Sequence, residues 1–210
     1  MEAATIDKPA ARTLSGDRAQ RIVAAMRESV AEVGIAGSTF ERVSAKAGVS
    51  RGLLHYYFGT KERLLVEVIR RDTEFRVEEL VSAVRSAKDV DEVIGAMFAA
   101  FSRTINEESG YVYMASELFI AGRHRPEIHR ELGALYSRAR AELAAVLREK
   151  QDEGVLALRF DAESVITHMF AAGDGAIVQL LTDPTLDADR ATATSYEVYR
   201  FLLDARPEPA

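Results

Sequence analysis

The chain has 210 residues, 48% of them apolar and 29% charged, so it is long enough to bury a sizeable core and too apolar to stay disordered. It has no cysteine, which excludes disulfides and thiolate zinc sites. No stretch approaches the roughly 18 apolar residues of a membrane span and the N-terminus has no signal-peptide core, so a cytoplasmic protein without a membrane partner is expected.

The formal net charge of -6 speaks at first against a polyanion. The sum hides an asymmetry: Met1 to Arg71 carries 12 Lys/Arg against 8 Asp/Glu, or +4, and Asp72 to Ala210 carries 15 against 25, or -10. A basic module is joined to an acidic one, a pattern associated with a nucleic-acid-binding segment.

Residues 1–15 have no periodicity and read as a flexible N-terminal arm. A first helix carries Ile22, Val23, Met26, Val30 and Val33 on one face, and Gly34 and Gly37 end it. Ser38 to Glu41 has the form of a capping box, a hydroxyl followed three residues later by a Glu. It opens a short helix with Phe40, Val43 and Ala47 facing inward, which Gly48 breaks. A third helix starts near Ser50 with Leu54 and Phe58 on its buried side, and Thr60 caps a long fourth bearing Leu64, Leu65, Val68, Ile69 and Phe75.

Further on, Asp89 opens a fifth helix with Val90, Val93, Ile94, Met97, Phe98, Phe101 and Ile105, and a sixth spans roughly Tyr111 to Ala121. Pro126 starts a long seventh that ends before Gly154, while Asp161 and Asp187 cap the last two. Only Val155 to Phe160 reads as a strand. The expected fold is all-α with about nine helices: a three-helix module over 16–60 followed by a C-terminal helical bundle over 61–210.

Thr39 to Phe58 meets the requirements of a helix-turn-helix, with Ser44 as the small residue at the crossing, Gly48 in the turn, and Val43, Val49, Leu54 and Phe58 as anchors. The outward face of the third helix is then Ser50, Arg51, Leu53, His55, Tyr56 and Tyr57, groups able to reach base edges and phosphates. Arg42 and Lys46 read as a solvated face.

The run Gly48-Val49-Ser50-Arg51-Gly52-Leu53-Leu54-His55-Tyr56-Tyr57-Phe58-Gly59-Thr60-Lys61-Glu62-Arg63-Leu64-Leu65 resembles the signature of the TetR family of regulators, and the likeness extends from about Ser15 to Phe75. The chain departs from that family's usual pattern at His55, where Tyr is common, at Ser44, where Ala is commoner, and at Leu53, often Thr. The resemblance implies a DNA-contacting set of Thr39, Ser50, Arg51, Gly52, Leu53, His55, Tyr56, Tyr57, Thr60 and Lys61. Within it Arg51 is the expected base reader, because its planar fork matches guanine O6 and N7. Leu53 faces a thymine methyl, and Thr60 with Lys61 holds a phosphate at the start of the fourth helix.

The same resemblance implies a homodimeric repressor on a palindromic double-stranded DNA operator, released by an unidentified small-molecule effector. Candidate effector contacts are Phe98, Phe101, Tyr113, Met114 and Tyr136, together with Glu117, a carboxylate on an otherwise apolar helix that would be expensive to bury unpaired. Ile166, Phe170, Gly173, Ile177 and Tyr199 are the expected dimer contacts, and the small residues flanking Asp174 read as helix packing. His124, His129 and His168 lack zinc-ligand spacing, so no metal or other cofactor is expected. Neither a P-loop nor a nucleophile elbow is present, which argues against an enzyme. A ligand-independent helical DNA-binding protein or protein-interaction adaptor is the alternative; an adaptor that binds only protein would leave the N-terminal basic excess unexplained.

Overall fold

Residues 17–106, 109–183 and 185–206 are described by the computed structural model, and they form nine α-helices. In chain order these are α1 (Asp17–Gly37), α2 (Phe40–Ala47), α3 (Arg51–Phe58), α4 (Lys61–Ser86), α5 (Val90–Asn106), α6 (Ser109–Gly122), α7 (Pro126–Asp152), α8 (Ala162–Thr182) and α9 (Ala188–Leu203). The arm expected over 1–15 lies outside the described residues. In place of a strand at Val155–Phe160 there is one isolated parallel bridge, between Ala157 and Asp204. No helix of the described residues is long and apolar enough to cross a membrane. The chain divides into two compact units, Met1–Val68 and Ile69–Ala210, and the division falls within α4.

The N-terminal unit is packed around Ile22 and Met26 of α1, Val43 of α2, Leu54 of α3 and Leu64 of α4, all without measurable exposure. These are the apolar positions of four helix stripes, and burying each removes the area that drives folding. Val33, expected on the same stripe of α1, is instead 42% exposed. The next residue, Gly34, has φ 69° and ψ 176°, so the helix breaks there and the stripe ends with Val30. Val33 turns over Gly37, where an added Cβ would lie 2.9 Å from it.

The core of the C-terminal unit takes Val84 of α4, Val93 and Ile94 of α5, Leu147 of α7, Ile166 of α8 and Leu203 of α9. Its helix starts are capped as their sequences require. Asp161 accepts from the Ser164 amide at 2.9 Å and Asp187 from the Arg190 amide at 2.9 Å, while Pro126 occupies the first turn of α7. Phe75 departs from expectation by lying 59% exposed. The buried stripe of α4 runs through Ile69, Asp72, Val77 and Val84, and Phe75, two residues before Val77, points about 200° away from it.

Candidate functional sites: a reading helix and a lined cavity

In the N-terminal unit the turns are closed by side chains close in sequence. Thr39 caps α2, its Oγ1 accepting from the Arg42 amide at 3.3 Å. The cap is therefore one residue later than the expected capping box, because the Ser38 hydroxyl is already engaged: it donates to the Gly34 carbonyl at 2.8 Å and accepts from Ser29 Oγ at 2.9 Å. Ser44, 6% exposed, sits at the crossing and gives its hydroxyl to the Glu41 carbonyl at 2.9 Å. Gly48 adopts φ 63° and ψ 39°, the left-handed conformation that lets α2 stop and α3 begin three residues later.

Ser50 then caps α3, accepting from the Leu53 amide at 3.2 Å, and Leu54 and Phe58 anchor the helix from below. What remains outward is Arg51, Gly52, His55 and Tyr56, all exposed, with Leu53 and Tyr57 half-buried at the flank. Two ring contacts stiffen this face: His55 meets Phe40 edge-on with centroids 4.8 Å apart, and Tyr56 meets Tyr57 at 5.1 Å. Thr60 accepts from the Arg63 amide at 3.3 Å and so caps α4. The Lys61 ammonium, expected at a phosphate, donates to the Ile35 carbonyl at 2.9 Å.

Arg42 and Lys46 are ion-paired. Both reach Glu32 of α1, and Lys46 lies 2.7 Å from that carboxylate and 3.5 Å from Glu28. Hydrogen bonds from Lys46 and then Arg42 hold the Glu32 carboxyl below the usual carboxylate range.

The C-terminal unit contains a cavity of about 350 Å³ with walls from α4 to α9. Phe98, Phe101 and Tyr136 line it, as do Tyr111, Phe170 and Tyr199. The rings pack on one another: Phe98 stacks with Tyr199 at 5.5 Å, and Tyr136 meets Phe170 edge-on at 5.9 Å. Burial pushes the Tyr136 hydroxyl well above the usual phenol range. Polar groups converge at Tyr111, whose hydroxyl is 3.0 Å from Thr73 Oγ1 and whose ring lies 4.3 Å beneath the Arg76 guanidinium. Arg76 also donates to Thr104 Oγ1 at 2.8 Å. Asp174 stands at the rim, exposed at the residue level, yet desolvated enough to raise its carboxyl above the ordinary value.

Three expected cavity residues lie elsewhere. Tyr113 is 54% exposed, Glu117 is exposed, and Met114 is buried at 2%, but none of them lines the cavity. Among the described residues α6 offers the cavity Tyr111; Tyr113 and Glu117 are turned about 200° and 240° from it, and Met114 is buried outside the lining. Glu117 therefore meets water and needs no buried partner.

The expected dimer contacts Ile166, Phe170, Gly173, Ile177 and Tyr199 all line this cavity. Ile166, 2% exposed, has no surface to offer a partner. The outward apolar residues of these two helices are Val178 at 60%, Val198 at 38% and Phe201 at 54%. Sequence reading missed Thr73, Arg76 and Asp174 in the lining, because polar residues on a long helix have the pattern of a solvated face.

Residues 22–68 match the family model for bacterial regulatory proteins of the tetR family, and residues 114–200 match that for the C-terminal part of BetI-type transcriptional repressors. The HTH-type transcriptional regulator BetI 2 of Chromohalobacter salexigens is 31% identical over 118 residues, covering 54% of this chain and 56% of that protein. The match thus spans little more than half the length of that relative. BetI of Rhizobium meliloti is 28% identical over 163 residues, 77% of each chain. Among solved structures, a transcriptional regulator from Saccharomonospora viridis in complex with choline superposes with a TM-score of 0.70 at 20% identity, covering 90% of this chain and 98% of that one. The two family matches take in the reading helix and most of the helices that wall the cavity, and the chain belongs to the TetR family of bacterial regulatory proteins.

Proposed function

We propose that this chain is a sequence-specific, DNA-binding transcriptional repressor, acting as a homodimer on a palindromic operator and released by a small-molecule effector. The observation that carries the reading is α3 itself. It is capped at Ser50, anchored by Leu54 and Phe58, and leaves Arg51, Gly52, His55 and Tyr56 open to a groove. Arg51, in the first turn of α3, presents a bidentate fork to a guanine, and Leu53 and Tyr57 flank it. Thr39 and Thr60, at the starts of α2 and α4, supply hydroxyls to the backbone on either side. Val178, Val198 and Phe201 are the apolar surface available to a second copy.

The cavity is the effector site in this reading. Aromatic walls with a desolvated carboxyl at the rim favour a cation with an apolar body, a class to which the choline held by the S. viridis regulator belongs. Release requires only that the effector bind the non-DNA conformation better than the DNA-binding one.

Selection of duplexes from a random pool by the full-length protein tests the reading, and an inverted repeat is the expected product. On that duplex Arg51→Ala costs about 1–3 kcal/mol, and much less on scrambled DNA. Failure to enrich any two-fold sequence, or equal losses on both DNAs, refutes the assignment. Cations that raise the melting temperature are expected to release the duplex as well.

A further inference from the structure

Lys61 is the first residue of α4, and an ammonium at a helix N-terminus opposes the dipole of its own helix. Its Nζ donates at 2.9 Å to the carbonyl of Ile35, 26 positions earlier in the last turn of α1. α1 has no basic residue of its own in that turn. The charge is wrong in sign for the helix it begins and right in sign for the helix it reaches.

Other groups close the same end of α1. The Ser38 amide donates to the Ile35 carbonyl at 3.2 Å, Ser38 Oγ donates to the Gly34 carbonyl at 2.8 Å, and Ser29 Oγ donates to Ser38 Oγ at 2.9 Å. Ser29 and Ser38 have no exposed surface. The Gly34 and Ile35 carbonyls at the break are therefore taken up by a serine just beyond α1 and a lysine from α4, and Ser29 within α1 holds that serine's hydroxyl in place. Between Ile35 and Lys61 lie α2, the turn and α3, so the lysine bond closes the base of the loop that contains the whole helix-turn-helix.

We infer that Lys61 is a positioning residue, which clasps the end of α1 to the start of α4 and so fixes how α3 is presented. The consequence for DNA rests on the function proposed above; the clasp itself does not.

The test uses full-length protein with Lys61→Met, which keeps the stem and removes the donor, and Lys61→Arg, which keeps a donor. Without DNA, hydrogen exchange of amides 38–60 is expected to speed up on the order of tenfold in Lys61→Met, as loss of a charge-assisted bond implies, with amides of α5 and α7 unchanged and Lys61→Arg close to the parent. On the duplex enriched by the parent protein, Lys61→Met is expected to lose affinity by a similar factor. The slope of log K against log salt is read for the same variants on a scrambled duplex. A slope shallower by about one unit for each protomer, with unchanged exchange over 38–60, makes Lys61 a phosphate contact and overturns the clasp. So does an absence of change in both measurements. If the parent enriches no duplex, the DNA-binding reading fails alone and the exchange data still decide the clasp.

Discussion

In the N-terminal unit, α2, α3 and α4 each begin at a hydroxyl that caps the amide three residues on, and the turn between α2 and α3 needs one left-handed glycine. In the C-terminal unit the feature that matters is a cavity whose walls come from six helices spread over more than a hundred residues. The first is encoded locally and closes around anchors with no measurable exposure; the second is encoded by long-range packing that leaves a cavity. A helix that must present a fixed face profits from dense anchoring, whereas a site that must admit a molecule gives up part of that packing. On the function proposed above, presentation of a fixed face and admission of an effector fall to separate stretches of this chain.

The comparison breaks most readily at Leu54, which has no exposed surface and holds α3 against its neighbours. Leu54→Ala is expected to cost about 2–5 kcal/mol in denaturant unfolding, the range for a leucine truncated in a dense core. A loss below about 1 kcal/mol means the anchor collapses freely and the unit is not rigid.

A smaller effect isolates the turn. No atom lies within 4 Å of where a Gly48 Cβ would stand, so Gly48→Ala meets no clash and its cost is purely conformational, about 1–2 kcal/mol for an L-residue at positive φ. Gly48→Asn is expected to lose less, since asparagine tolerates this region. Equal losses for the two would point to a packing role instead.

The smallest effect sharpens the other side. Desolvation raises the Asp174 carboxyl, so the folded chain holds a proton at pH values where the unfolded chain has lost it. Stability therefore falls as pH climbs from the ordinary carboxylate range through the raised folded value, and the penalty is complete above it. Asp174→Asn removes that penalty and is expected to melt higher than the parent at neutral pH, the two converging in acid below the ordinary carboxylate range. A difference that does not vary with pH would show that the carboxyl is fully hydrated.

How much of this was legible in the sequence follows the same division. The caps at Ser50, Thr60, Asp161 and Asp187, the Gly48 turn and the anchors Val43, Leu54 and Phe58 are all readable, because each depends on residues within about one turn. Even there, adjacent hydroxyls mislead: Ser38 and Thr39 both look like caps, and only the buried bond to Ser29 decides between them. Val33 and Phe75 fail because apolarity marks a candidate for burial but not the angle at which a stripe ends. α6 and α8 are apolar around most of their circumference, so periodicity does not fix which face turns inward. Periodicity therefore does not separate Tyr111 from Tyr113 and Met114, and it does not reveal that Ile166 has almost no exposed surface.

The ion pairs between α1 and α2 bear on how such a protein searches a chromosome. Arg42 and Lys46 are matched to Glu32 and Glu28, so two cations of this unit are neutralised within it and its basic excess is carried by the others. Counterion release scales with the phosphates a protein neutralises, and it sets the background affinity for every wrong site in the genome. On the function proposed above, withholding those two cations lowers the background and shortens dwell times on random sequence, so that discrimination rests more on what Arg51 and its neighbours read in the groove. Repression would then withstand a large excess of competing DNA without a high copy number of the protein.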